Sequence, residues 1–158
     1  MHVDRTACPW LIKKFVDTQA EFIFVPVERI DEVVRKESAI PFDAPDVELG
    51  HHGEKCSFDS IIAKYKIKDP AVLELAKIVR SADTDSKAAP EGAGLSAIMT
   101  GMSMVAKDDR EAIKIAGSVY DALYTYSKLG LLREQFKSDI EKMDRNQRRE
   151  FLKKKLAD

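Results

Sequence analysis

The strongest constraint on the fold is a series of helix signals that occupies most of the chain after residue 57. The clearest is Asp69-Pro70, where a capping residue is followed by a proline at the first helical position. Apolar residues then recur with a period near 3.6, as they do on the buried face of a helix. The same signals predict further helices beginning at Ser57, Pro90 and Asp108, the last ending at Gly130. Helix is therefore expected to exceed strand by a wide margin.

Several short segments before residue 57 predict strands. Glu21 to Val25 is nearly all apolar, which is typical of a strand buried on both faces. Further extended pieces are predicted at His2-Val3, 40–43 and 47–49, and helices are predicted from Ala7, capped by Thr6, and over 30–37. This order predicts a helix-rich α/β fold, with a small parallel or mixed sheet of three or four short strands and seven or eight helices.

Length and composition predict one folded core followed by a tail. The chain has 158 residues, of which 44% are hydrophobic and 34% charged, so it is long enough to bury a core. We expect a domain over residues 1–130 and a charged helical tail over 131–158. Two thin apolar stripes run along the tail: Phe136, Ile140 and Met143, then Phe151, Leu152 and Leu156. We expect the tail to contribute to a homo-oligomer interface, with docking on the chain's own body as the alternative.

Charge, hydropathy and cysteine usage exclude several classes of protein. A net charge of -1 gives no electrostatic case for nucleic-acid binding by this domain alone. No apolar run approaches the ~20 residues of a membrane span, and no signal peptide is visible. Two cysteines do not make a disulfide framework, so a cytoplasmic location is the simpler expectation. No phosphate-binding loop, serine-hydrolase motif or Cys-x-x-Cys motif is present.

Three segments carry residues that suit a metal site. One is a His–His pair between two glycines, which allow a sharp backbone turn; the others are a His-x-Asp near the start and an acidic pair at the end of a predicted helix. Imidazole nitrogen and carboxylate oxygen together suit a divalent transition metal, namely zinc, iron or manganese. The predicted ligands are His2, Asp4, His51, His52, Asp83 and Asp85, with Asp43 and Glu91 as further candidates.

Cys56 follows His52 by four residues. At that spacing its thiolate could be an additional ligand, which would favour zinc. The start of the next helix would also lower the pKa of the thiol, so a thiol that is reactive, or that contacts the ligands without binding the metal, is preferred over a direct ligand. Cys8, beside Pro9 and Trp10, is expected to be a small buried hydrophobic residue.

Long motifs in this chain resemble a known family. They are residues 2–12, residues 47–53 with Cys56-Ser57-Phe58, and Ala82-Asp83-Thr84-Asp85, and they resemble the C-terminal domain of the bacterial chromate-resistance B (ChrB) family. The resemblance extends to 120–124 and covers about residues 2–126. It implies a role in chromate resistance, often as a chromate-responsive regulator with an additional N-terminal domain. Arg5 and Lys55, with the histidines, would then be donors for a small oxyanion such as chromate.

A second resemblance keeps catalysis open. The order of His-x-Asp, Asp43, the His–His pair and Asp83 is similar to phosphoesterases that are named for an Asp-His-His motif and use two manganese ions. Gly50 stands where that motif has its aspartate. Two functions therefore stay open. One is a metal- or oxyanion-binding domain without catalysis, and the other is a metal-dependent enzyme that hydrolyses a phosphoester or performs redox chemistry on chromate.

Overall fold

A computed structural model of the protein describes residues 3–157, and the regular elements of that range are all helices. Asp69 caps α4 by accepting hydrogen bonds from the backbone N–H groups of Ala71 and Val72, as the sequence predicts. The helices are α1 Asp4–Phe15, α2 Ile30–Glu37, α3 Ser57–Tyr65, α4 Pro70–Asp83, α5 Glu91–Val105, α6 Asp109–Gln135, α7 Lys137–Ile140 and α8 Arg145–Ala157, with a 3-10 turn at Val27–Arg29.

The predicted α/β sheet is wrong. Between residues 3 and 157 the only extended pairings are two isolated bridges, Phe42 with Leu49 and His52 with Lys55. The expected strand at 21–25 is irregular chain in which Ile23 is 53% exposed. A short apolar run satisfies the pattern of a buried strand, but a strand also needs a neighbour to take its backbone hydrogen bonds. No neighbouring strand lies in the described part of the chain, so residues 21–25 remain irregular.

Helix boundaries shift where tertiary contacts outweigh local signals. α1 begins at Asp4 rather than Ala7, which places Val3 at a helix start instead of a strand end; Thr6 lies buried inside the helix. α6 does not end at Gly130 but continues to Gln135, and Gly130 lacks the left-handed conformation of a helix-ending glycine. α6 is the longest helix, yet neither it nor any other helix in the described range is long and apolar enough to cross a membrane.

The core lies where α1, α3, α4, α5 and α6 meet, so it is made by helix-on-helix packing. Trp10 of α1 packs against Tyr120 of α6, with ring centroids 6.0 Å apart. The buried face predicted for α4 is confirmed. The largest fully buried side chains include Tyr120, Phe58, Leu11, Ile61, Leu75, Met99, Val72 and Val79.

The tail folds back onto the chain's own body. α8 packs against α6, and the rings of Phe136 and Phe151 meet edge to face with centroids 5.3 Å apart. Ile140 and Leu152 are buried. The two predicted apolar stripes therefore find partners within one chain, and the homo-oligomer stays a prediction.

Candidate metal centre

Three predicted ligands converge on one point. His51 Nε2 lies 3.3 Å from Asp4 Oδ2 and 3.1 Å from Asp83 Oδ2. One ligand atom from each of these residues lies within 4.8 Å of the other two. We call Asp4, His51 and Asp83 the triad. Two carboxylates and an imidazole at this separation form a ligand set that suits a divalent transition metal.

The two aspartates come from helix ends that meet head to tail. Asp4 is the first residue of α1 and Asp83 is the last residue of α4. Asp83 Oδ1 accepts hydrogen bonds from the backbone N–H groups of Val3, at 2.7 Å, and Asp4, at 3.2 Å. A carboxylate is unfavourable at the C-terminal end of its own helix, but this one lies against the positive end of α1. That second helix offsets the unfavourable position of Asp83.

His51 comes from the loop between α2 and α3, and its glycine neighbour fixes the path of that loop. A Cβ atom on Gly50 would lie 2.6 Å from the carbonyl oxygen of Ala44 and 3.1 Å from that of Val47. Any larger residue at this position would therefore force the turn to shift. The side chain of His51 is 42% exposed, so the triad is buried on the aspartate side and open to solvent on the histidine side.

Asp43, which the sequence predicts as a further candidate ligand, lies at the edge of the triad. Its Oδ1 is 3.8 Å from His51 Nε2, and its side chain is 17% exposed. Its backbone has a positive φ of 50°, a conformation that aspartate tolerates better than most residues. The bridge between Phe42 and Leu49 holds the chain on both sides of this bend.

The electrostatics of the triad are those of carboxylates crowded away from water. Asp4 is fully buried. Its burial, followed by the charges of Asp83 and Asp43, raises its pKa to about 7, although the backbone N–H of Ser57, 2.5 Å from Oδ2, acts to lower it.

Two carboxylate oxygens of the triad are buried without a hydrogen-bond partner in the described structure, Asp4 Oδ1 and Asp83 Oδ2. Asp83 Oδ2 is close to the His51 ring, but that contact lacks hydrogen-bond geometry. A buried carboxylate oxygen without a hydrogen-bond partner destabilises the folded state, because its lost contact with water is not replaced.

Other predicted ligands lie outside this group. The ring of His52 turns away, with Nε2 2.9 Å from the carbonyl oxygen of Glu48. Asp85 is exposed beyond the end of α4. The carboxylate of Glu91 accepts the Tyr126 hydroxyl at 2.7 Å. His2 lies outside the described residues.

Both cysteines are free and buried. Cys56 caps the start of α3, where Asp59 accepts its backbone N–H. Burial, followed by the charges of Asp4 and Asp59, raises the pKa of the Cys56 thiol, which is opposite to the direction expected from a helix start. Burial also raises the pKa of Cys8, whose buried position the sequence predicts.

The two predicted oxyanion donors face different surroundings. Arg5 forms a two-point ion pair with Asp109, through Nε at 2.6 Å and Nη2 at 2.7 Å, and its guanidinium lies over the Phe24 ring. Lys55 is exposed in the turn after His52. Neither side chain belongs to the triad.

A buried hydroxyl pair beneath the triad was not predicted. Tyr120 Oη lies 2.8 Å from Thr6 Oγ1 and donates to the carbonyl oxygen of Val3 at 3.2 Å. Both hydroxyls therefore hold the first turn of α1, which carries Asp4. Helical spacing can indicate that a residue such as Tyr120 is buried, but it does not identify the partner of its hydroxyl group.

Comparison with known proteins identifies the family. The ChrB C-terminal domain matches residues 1–127 of this chain. Protein ChrB of Cupriavidus metallidurans is 29% identical over 127 residues, covering 78% of this chain and 37% of the relative, so the match spans little more than a third of that protein's length. No solved structure matches the chain. With its family match over most of its length, the chain belongs to the ChrB C-terminal domain family.

Proposed function

We propose that Asp4, His51 and Asp83 bind one divalent transition metal ion, zinc, iron or manganese, and that the domain contributes to chromate resistance through this centre. The observation that carries the proposal is the convergence of Asp4 Oδ2 and Asp83 Oδ2 on His51 Nε2, at 3.3 and 3.1 Å, with one oxygen of each carboxylate buried without a hydrogen-bond partner. Burial, followed by the charges of Asp83 and Asp43, raises the pKa of Asp4. A cation between the carboxylates would neutralise their repulsion and would give Asp83 Oδ2 a partner.

The charge of the site favours a cation over a free oxyanion. Asp4, Asp83 and Asp43 surround His51, whereas Arg5 is paired with Asp109. A chromate dianion approaching three carboxylates would be repelled. A metal bound by the triad would lie near solvent, because the His51 ring is exposed. An oxyanion could then bind to the metal from the solvent side. Metal binding therefore comes first in this proposal, and oxyanion binding depends on it.

The two-metal hydrolase alternative receives less support from the geometry. Among residues 3–157 one cluster of three potential ligands meets the distance criterion for a metal, and Asp43 is the nearest further carboxylate. Two-metal hydrolysis needs ligands for a second ion a few ångströms away. A single metal with an exposed face fits binding, sensing or one-metal chemistry better.

Metal titration with paired variants tests the proposal. The full chain would be stripped with a chelator and reloaded with zinc, manganese or ferrous iron, and bound metal measured by elemental analysis. His51→Ala and Asp83→Asn should reduce bound metal well below one ion per chain. His52→Ala and Asp85→Asn are the matched controls, because each neighbour lies in the same segment but outside the triad.

Asp83→Asn keeps an acceptor oxygen for the N–H groups of Val3 and Asp4, so metal loss in that variant cannot be assigned to loss of the helix cap. Full metal occupancy in both triad variants would rule out this centre. Chromate binding would then be measured on loaded and stripped protein, and equal binding by the two forms would contradict the metal-first order.

A further inference from the structure

A cavity of about 610 Å³ is lined in part by Asp43, the carboxylate at the edge of the triad. It is enclosed by the C-terminal half of α1, the irregular segment 20–27, α2 and the loop 37–44. None of the three triad residues lines it. Its volume falls in the range of roughly 300–1,000 Å³ that is usual for small-molecule sites. The family match and the metal proposal assign no role to this cavity.

The walls of the cavity are apolar and aromatic. Phe22, Phe24 and Phe42 contribute rings, and Val33 and Val34 contribute the apolar side of α2. α2 has no buried residue, so its apolar side borders the cavity without being sealed into the core. A ligand with an apolar body would cover this surface and remove it from water, which is favourable.

The charges around the cavity are mostly negative. Four carboxylates line it: Asp17, Glu21, Glu37 and Asp43. Arg5 is the one basic residue among the lining residues, and its charge is offset by the two-point ion pair with Asp109. The potential inside therefore favours a positive charge.

Two of the aromatic rings already accept cations. The Arg5 guanidinium lies 5.3 Å from the centroid of Phe24, and Lys13 Nζ lies 5.8 Å from that of Phe22. Cations are attracted to the faces of aromatic rings within about 6 Å. With Lys13 counted beside Arg5, the four lining carboxylates still leave the surroundings of the cavity net negative, so the aromatic rings and the acidic rim favour the same kind of guest.

We propose that this cavity binds a small organic cation with an apolar body, of the arylalkylammonium type. The apolar body would fill the space between Phe42 and α2, and the ammonium group would lie toward the carboxylates. A neutral molecule of the same shape gains the apolar burial alone, and an anion is repelled. The proposal does not depend on metal binding by the triad.

Three probes of matched shape test the charge preference by calorimetry on the full chain: naphthylmethylammonium, naphthylmethanol and naphthoate. Naphthylmethylammonium should bind at one site at least about tenfold more tightly than naphthylmethanol, and naphthoate should bind most weakly. Added salt should reduce the difference in affinity between naphthylmethylammonium and naphthylmethanol. Equal affinities for the three probes, or no saturable binding by the cation, would overturn the proposal.

Variants test the contribution of the rim charge separately from that of the cavity shape. Glu21→Gln combined with Glu37→Gln should lower the affinity for the cation toward that for the alcohol, and the affinity for the alcohol should stay unchanged. Glu74→Gln combined with Glu150→Gln, two glutamates that do not line the cavity, is the control and should change neither. Unchanged cation binding in the first double variant would contradict the proposed role of the rim.

Val34→Trp should fill the space and weaken all three probes, whereas Leu73→Trp on the exposed face of α4 should not. Circular dichroism checks the folding of both tryptophan variants. The glutamine variants alter exposed side chains, so they decide the question even where Val34→Trp fails to fold.

Discussion

The carboxylate of Asp83 accepts the backbone N–H of Asp4 at 3.2 Å, so the last residue of α4 caps the first turn of α1. The same contact brings the side chains of these two aspartates together beside His51. One contact therefore both caps α1 and brings the two carboxylates of the site together. Substitutions at Asp83 should separate the two roles.

Asp83→Ala should lower the free energy of unfolding by about 1–2 kcal/mol in metal-free protein, because the first turn of α1 loses its acceptor. Asp83→Asn keeps one acceptor and removes a charge next to Asp4, so it should be at least as stable as the parent in the presence of chelator. Urea denaturation measures both. Equal losses in the two variants would show that the charge, and not the cap, contributes the stability.

The stability of the metal-free protein should fall as pH rises from about 4 to about 7, because the pKa of Asp4 is raised from 3.8 to about 7 in the folded state. Between those values the native state holds a proton that the unfolded chain has released, so rising pH favours unfolding. The Asp4 contribution to this loss is up to about 4 kcal/mol.

Asp4→Asn should flatten that pH dependence in urea denaturation with chelator present, and Asp31→Asn, at an exposed position on α2, should not. Bound metal should oppose the loss, since it competes with the proton for the same carboxylate. An unchanged pH profile in Asp4→Asn would assign the titration to another group.

Tyr120→Phe should reduce the free energy of unfolding by about 1–2 kcal/mol, because the hydroxyl contacts Thr6 and the carbonyl of Val3 in a buried setting. Metal affinity should fall as well, since the first turn of α1 carries Asp4. Tyr126→Phe is the matched control: its hydroxyl bonds Glu91 at the surface, and the change should stay within about 0.5 kcal/mol. Equal effects of the two substitutions would contradict a positioning role for Tyr120.

Gly50→Ala should weaken metal binding by about tenfold or more and destabilise the fold, because the added Cβ would lie 2.6 Å from the carbonyl oxygen of Ala44 and displace the turn before His51. Gly94→Ala meets no atom within 4 Å and lies on an exposed part of α5, so it should stabilise the protein by up to about 1 kcal/mol. Metal titration and thermal unfolding measure both. Parent-like metal affinity in Gly50→Ala would show that the turn tolerates the shift.

Local sequence signals determined most of the helices, and one long motif match determined the family. Asp69-Pro70 marks the start of α4, and the spacing of Val72, Leu75 and Val79 indicates its buried face, because capping and helical periodicity involve neighbours along the chain. The motifs around the triad likewise identified the ChrB resemblance, which the family comparison confirms.

Tertiary structure alone decided the absence of a sheet in the described range and the membership of the triad. An apolar run such as 21–25 can lie in a strand or in irregular chain, and the choice depends on a partner that is distant in sequence. His51 and His52 are adjacent and chemically identical, yet one ring points at two aspartates and the other at a carbonyl oxygen. Composition and spacing cannot separate them, because the direction of a side chain in a turn is set by close packing such as that of Gly50 against Ala44.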